Sequence, residues 1–390
     1  MRQLFVLGQV AVRTWTLLLA VLALLAGSVS ARTAEAACTF SGSGNNSAGQ
    51  TDVPPGLSNV LLLTSGGSAT AALQKDGTIV VWGNDFSGLV SQAPTGSGYK
   101  DVAMSNTHGL AVTASGDVVC WSTNSEAPCL GKPASFSDAV TVAAGYNTSY
   151  VVRATGQVVA WGSSPFNGPT LANGATGIKR VVATGTLAAG IKTDGFVVTW
   201  EDGVATPGTL GKARTIAVSD NAYYAVTEAG TVVQWGFTDT EVMPPDLLDI
   251  IDINAASGLV VAVDAFGNAK VWGETSGLIP NQAGLTNVSM FGVGPGFLIR
   301  EDCGGFCGQI GSLGCCDGTT IKYCVDGTPN MFECTTQPNC GWETDVDAFD
   351  CAVQANPAPN PKVRSWCAPN YACEPNCGSK ACGDDGCGGA

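Results

Sequence analysis

The chain has 390 residues, a formal net charge of −14 and one histidine, His108; its isoelectric point is about 4.4. An acidic chain with no basic run argues against a nucleic-acid partner, because phosphates need lysine and arginine to neutralise them. One histidine argues against a multi-histidine metal site, and 51 glycines without a G-X-Y period suit a turn-rich β protein.

Arg2 and Arg13 precede an apolar run over Trp15–Gly27, and after it come small residues with an A-x-A site at Ala34–Ala36. Residues 1–37 therefore read as a secretory leader, with a run too short for a comfortable membrane span. A signal anchor is the alternative. No lipobox precedes Cys38, since Glu35 stands where an apolar residue is needed. The expected product begins near Ala37, is extracellular or held at the cell surface, and keeps no membrane span.

Beyond that point a glycine is followed five residues later by a tryptophan six times: Gly77 and Trp82, Gly116 and Trp121, Gly156 and Trp161, Gly195 and Trp200, Gly230 and Trp235, Gly267 and Trp272. Successive tryptophans are 39, 40, 39, 35 and 37 residues apart. A near-constant period with variable padding predicts one supersecondary unit copied around an axis or along a line. Before each glycine lie two short apolar strands joined by a small turn, from Val60–Leu73 in the first unit to Val288–Ile299 in the last. The connections K-D-G, A-S-G, A-T-G, T-D-G, E-A-G and A-F-G share only their glycine. A type I′ turn would force Thr155 and Phe266 to positive φ, so a type I turn closed by one left-handed glycine is predicted.

The tryptophan strands are apolar on both faces, as where Ile79 and Val80 alternate. A sheet with one wet face would alternate apolar with polar. Sheets covered by a neighbour on each side fit radially arranged four-stranded blades, with the tryptophans as blade core and not a ligand platform. A β-solenoid ranks below. The seventh hairpin runs from Phe297 into Cys303 without a glycine–tryptophan half. Residues 40–60 resemble the segment after the tryptophan of a unit, with Phe40 near the tryptophan position. The N-terminal strand is thus expected to pair with the last strand and lock the ring. The fold class expected is all-β, a seven-bladed β-propeller over residues 38–301; six blades would leave exposed half units.

The runs G-Q-T-D-V-P-P-G-L-S-N-V (49–60) and A-L-Q-K-D-G-T-I-V-V-W-G (72–83) resemble the repeat of the regulator-of-chromosome-condensation (RCC1) family. The similarity is greatest to its secreted bacterial members, a propeller-type β-lactamase inhibitor among them. It covers roughly residues 46–300 and implies a seven-bladed propeller; as a guide to function it is weak, because propellers host many activities. Nuclear members bind chromatin and act as exchange factors on a small GTPase. This chain departs from them in being acidic and carrying a leader, so a guanine-nucleotide exchange role is the lowest-ranked reading.

Thirteen of the 16 cysteines lie between Cys303 and Cys387. The boundaries expected are a cysteine-rich module over 302–352, a Pro/Asn-rich linker over 353–366 and a Cys/Gly-rich segment over 367–390 that resembles similar tracts of myxobacterial exported proteins, cut short. In an exported chain the spacing favours disulfides over zinc, and no EF-hand or G-G-x-G-x-D spacing marks a calcium site. Cys120 and Cys129 flank one loop and are expected to staple it. Thirteen tail cysteines leave an odd one, and Cys38 is expected to pair with a tail cysteine near Cys303.

No nucleophile elbow, P-loop or H-E-x-x-H is present, so neither an enzyme nor a cofactor is expected. Binding of a protein ligand through loops at one rim is. His108, Tyr146, Tyr223, Tyr224 and Phe297, at the turns before each second strand, are the candidate contact residues; packing of the same aromatics between blades is the competing reading. Inhibition of an extracellular enzyme is the alternative function, and a propeller lyase or glycosidase is disfavoured by the single histidine. Mass mapping of a non-reduced digest is expected to recover Cys38 cross-linked to a tail peptide; Cys38 recovered alone would end that pairing.

Overall fold

Runs rich in valine, isoleucine and alanine, punctuated by glycine and Asx turns, form short antiparallel strands in the computed structural model. The structure describes residues 39–123, 128–165, 167–201, 203–237, 242–265, 267–286 and 288–302, and the backbone of tail strands within 315–352. Six three-stranded sheets succeed one another along the chain. They are Val60–Gly66, Ala69–Gln74, Ile79–Gly83; Tyr99–Met104, Gly109–Thr113, Val118–Trp121; Ala139–Ala144, Thr148–Arg153, Val158–Gly162; Ile178–Thr184, Leu187–Lys192, Val197–Thr199; Ala213–Val218, Ala222–Thr227, Val232–Gly236; and Ile250–Ala256, Leu259–Asp264, Ala269–Trp272.

The first strand of each sheet is innermost and touches the first strand of the next. Val288–Gly294 of the seventh sheet touches Val60–Gly66, which completes the circle. The protein is a seven-bladed β-propeller. Its seventh blade holds Val288–Gly294, Phe297–Asp302 and, on the outside, Thr39–Gly44 from the other end of the chain. Thr39 lies opposite Asp302 and Gly44 opposite Phe297, so the expected closure is present. Ser43, and not Phe40, takes the tryptophan position: Ser43 faces Leu298 as Trp82 faces Thr70. Gly44 and Gly83 share a φ of 103°.

Each blade has three strands among the described residues, in place of the four expected. The connections after the tryptophans instead carry single 3-10 turns at Phe86–Gly88, Pro128–Gly131, Ser276–Leu278 and Gln282–Gly284, and one helical turn at Gly168–Ala172. Prolines such as Pro133, Pro169 and Pro207 populate these connections, and a proline cannot donate to a ladder. One isolated bridge, Phe196 to Lys212, is what remains of a fourth strand.

The apolar core is divided among the seven blade-to-blade junctions. Middle strands, sandwiched by both neighbours, are buried almost throughout, as in Ala69–Gln74 and Leu259–Asp264. Each tryptophan enters the cluster shared with the preceding blade: Trp121 with Leu73, Trp200 with Val152 and Trp272 with Val226. Trp82, Trp121 and Trp161 donate their indole N–H groups to the carbonyls of Gln50, Leu89 and Pro128 at 2.7–3.0 Å. A buried indole with a partner is an anchor; without one it would cost about 1–3 kcal/mol.

The constant glycines explain the period. Gly77, Gly116, Gly156, Gly195, Gly230 and Gly267 have φ between 78° and 92°, and each N–H closes the turn three residues back, as Gly77 does to Gln74 at 2.9 Å. Their carbonyls then accept the N–H of the residue that begins the next blade: Tyr99, Ala139, Ile178, Ala213, Ile250 and Val288, at 2.9–3.1 Å. A Cβ on Gly77 would lie 2.5 Å from Gly98 N, and one on Gly116 would lie 2.7 Å from Ser137 O. Gly96 also has positive φ, yet a Cβ there meets nothing within 4 Å. Asp76 and Asp194 only shape these turns, each accepting the N–H two residues on at 2.9 and 3.1 Å.

The Cys120–Cys129 disulfide is present, with Cα atoms 5.4 Å apart. In the tail, Thr320–Val325 pairs with Cys315–Asp317 and Thr328–Glu333, and Asn339–Glu343 pairs with Ala348–Ala352. Cys38, Cys303 and the segment 353–390 lie outside the described residues.

Gly116→Ala is expected to cost at least about 2 kcal/mol, the left-handed penalty plus a backbone collision. Gly96→Ala should cost only about 1 kcal/mol. Denaturant midpoints of the two variants check this, and equal losses would remove the junction from the explanation.

Candidate functional site

Inner strands run toward one rim, called upper here, where their turns to the middle strands lie; the constant glycines mark the lower rim. Inner strands of all seven blades line an axial channel of about 440 Å³. Leu61, Leu62, Met290 and Phe291 make an apolar wall on the seventh and first blades, and Arg180 and Asp252 lie among the residues of the other wall. Behind that wall the third residues of consecutive inner strands form a polar belt. Thr141 Oγ1 donates to Asp101 Oδ2 at 2.7 Å, Arg180 Nη1 to Thr215 Oγ1 at 2.9 Å, and Thr215 Oγ1 to Asp252 Oδ1 at 3.5 Å. The Arg180 guanidinium feels both Asp252 and Asp101. These bonds tie blades together and leave the channel's charge excess negative.

At the upper mouth the channel is lined by Asn106, Tyr146, Thr186, Asp220, Ser257 and Pro295. Tyr146 lies at a turn tip with its ring half exposed, and its backbone is fixed to the next blade by the bond from its N–H to Gly185 O at 2.6 Å. Of the five candidate contact residues it alone is on the surface. His108, Tyr223, Tyr224 and Phe297 are wholly buried, so the structure corrects their placement on the rim. His108 immediately precedes a middle strand, Phe297 begins one, and Tyr223 and Tyr224 are the second and third residues of another, where both neighbouring blades cover them. Tyr223 stacks on Trp235 and Tyr224 meets Trp272 edge-on, while Phe297 joins the cluster at ring closure.

His108 clamps two blades. Its Nε2 is 2.9 Å from Ser149 Oγ and its Nδ1 3.0 Å from Ser105 Oγ. Burial pulls its pKa down to about 4, so it is neutral. Glu201, where most blades carry glycine after the tryptophan, is buried as well. Its carboxylate accepts the hydroxyl of Tyr223 from the next blade and the N–H groups of Ala188 and Trp200. Burial pushes its pKa up to about 7 against those three donors.

Residues that sequence reasoning passes over lie in the connections after the tryptophans. Those segments start at the upper rim, because Asn84 N–H bonds Ser68 O and Thr275 N–H bonds Gly258 O, in both cases at the turn of the same blade's hairpin. Phe86 is 74% exposed, Leu130 76% and Leu278 51%. Leu278 sits over Gly296, at the tip of the last hairpin. An apolar residue amid glycine, serine and asparagine, as in N-D-F-S-G, is the signal the sequence carries for them. Among the described residues no group of three or more His, Cys, Asp or Glu could hold a metal, and no helix is long and apolar enough to cross a membrane.

The family profile described as the regulator of chromosome condensation (RCC1) repeat matches residues 139–167, which span the third blade and the start of its outgoing connection. No curated protein matches the chain. Among solved structures, yeast RCC1 (Prp20) bound to Kap60 is similar at 15% identity and a TM-score of 0.53, over 68% of this chain and 88% of that one. Prp20p from Saccharomyces cerevisiae, reported with its binding to Gsp1p and histones, gives 15% and 0.53 over 68% and 91%. Human WBSCR16 gives 13% and 0.56 over 68% and 99%. At these identities the likeness is one of fold: an RCC1-like propeller with an RCC1 repeat in its third blade.

The two buried groups make opposed predictions about pH. Glu201, raised from 4.5 to about 7, gives stability that is full below 4.5 and lost as pH rises through 7. His108, lowered from 6.5 to about 4, gives stability that is full above 6.5 and lost as pH falls through 4. Glu201→Gln removes the first slope. Its unfolding free energy relative to wild type is expected to rise by on the order of 3 kcal/mol between pH 4 and 8. A flat difference in urea titrations would show that Glu201 stays charged in the fold.

Proposed function

We propose that this protein is an exported, non-enzymatic binding propeller that grips a protein partner with its upper rim. The observation that carries the reading is the exposed apolar side chains of the upper rim: Tyr146 at the channel mouth, and Phe86 and Leu278 in connections that leave the same rim. Large apolar side chains are costly to leave in water and mark contact surfaces when they gather at one place. Aromatic side chains also bury area at low entropy cost. Yeast RCC1 bound to Kap60, and Prp20p with Gsp1p and histones, supply precedent for protein contacts by this kind of fold. The leader argues that the partner is extracellular. A partner that proves to be a secreted hydrolase would make the protein an inhibitor, the narrower form of the same reading.

The full chain immobilised on beads is expected to retain a discrete protein from the native extracellular fraction. The double substitution Phe86→Ser, Tyr146→Ser should weaken that interaction by at least about 30-fold, the scale of one or two hot-spot side chains. Equal retention by wild type and variant would sink the rim as the contact surface.

A further inference from the structure

Charge is sorted between the two rims. Lys75, Lys192 and Lys212 lie at or next to the glycine turns of the lower rim, and Lys100, Lys179 and Arg214 sit in the second position of inner strands just above it. Further cations lie on this side in ion pairs, Arg153 with Asp138 at 2.8 Å and Lys270 with Asp246 at 2.6 Å. Lys132, in the second blade's connection, donates to Pro133 O and stands over the ring of Phe136, whose N–H bonds Asp117 beside the lower-rim turn. The upper rim carries exposed carboxylates at Asp52, Asp85, Asp220 and Glu274, while Arg300, on the seventh blade, donates to Ser43 Oγ of the closing strand at 2.8 Å. Below the mouth, the channel-lining residues include two carboxylates, Asp252 and Glu301, and one guanidinium, Arg180.

Resting on the rim reading above, we propose that the partner surface is cationic: a lysine or arginine set among apolar residues, seated with its charge over the channel mouth beside Asp220 and its stem against the Tyr146 ring. The apolar crown of Phe86, Tyr146 and Leu278 accepts the flanking side chains. A rim on which exposed carboxylates predominate repels an acidic or phosphorylated partner and steers a basic one. A cation over the half-exposed tyrosine ring gains a further quadrupole attraction. The carboxylates are spread around the rim and not gathered, so they suit a protein surface better than a metal ion.

The test pans a random peptide library on the full chain and measures affinities of the enriched peptides at 50 and 500 mM salt. Enriched peptides are expected to hold Lys or Arg within two positions of Leu, Phe or Trp. Replacing that cation by glutamine should weaken binding about tenfold, and Asp220→Asn, Glu274→Gln in the protein should do the same. Affinity should fall with salt. Peptides that need Phe86 and Tyr146 but carry no cation, or bind equally at both salt concentrations, overturn the cationic partner and leave the rim in place. Peptides that survive both pairs of substitutions bind elsewhere, and then the rim falls too. Failure to enrich any peptide above an unrelated control protein also overturns the proposal.

Discussion

The ring is held in register by one backbone contact repeated six times: the carbonyl of a left-handed glycine accepting the first N–H of the next blade. The contact demands a turn that brings the chain against its neighbour with no side chain in between. Glycine meets both demands, through its φ and through the absence of a Cβ that would strike Gly98 or Ser137. The five-residue offset to the tryptophan is a consequence. It is the distance from the lower-rim turn along an outer strand to the point where an indole can reach back into the previous blade.

That coupling makes the architecture legible. Glycine and tryptophan recur together because each serves a junction, so blade number, hairpin boundaries and the closing N-terminal strand can be read from spacing alone. Where no junction constrains the residues the reading fails. Phe40 lies three positions from the place register gives the indole, because Ser43 fills that place and the cluster there draws on Ile279, Leu285 and Phe291 instead. Repeat length suggests a fourth strand, yet the proline-bearing connections cannot sustain a ladder.

The site is less legible than the fold for a related reason. His108, Tyr223, Tyr224 and Phe297 sit next to the turns in sequence, but a middle strand is covered from its first residue, and only two-residue tips such as Tyr146–Asn147 emerge. Burial then converts polar groups into fasteners. Glu201 collects donors from its own blade and the next, and His108 links the second blade to the third. The exposed apolar residues come from segments whose irregular length makes them look like padding.

Thr39 and Asp302 face one another at the lower end of the seventh blade. The chain therefore comes into the ring and departs from it at a single spot, on the side opposite the channel mouth. Anything joined through the C-terminal extension, whether a wall, a matrix or another polypeptide, tethers the propeller from behind. The channel mouth is left pointing outward, as a hand is at the end of an arm, with no turn of the body needed to present it.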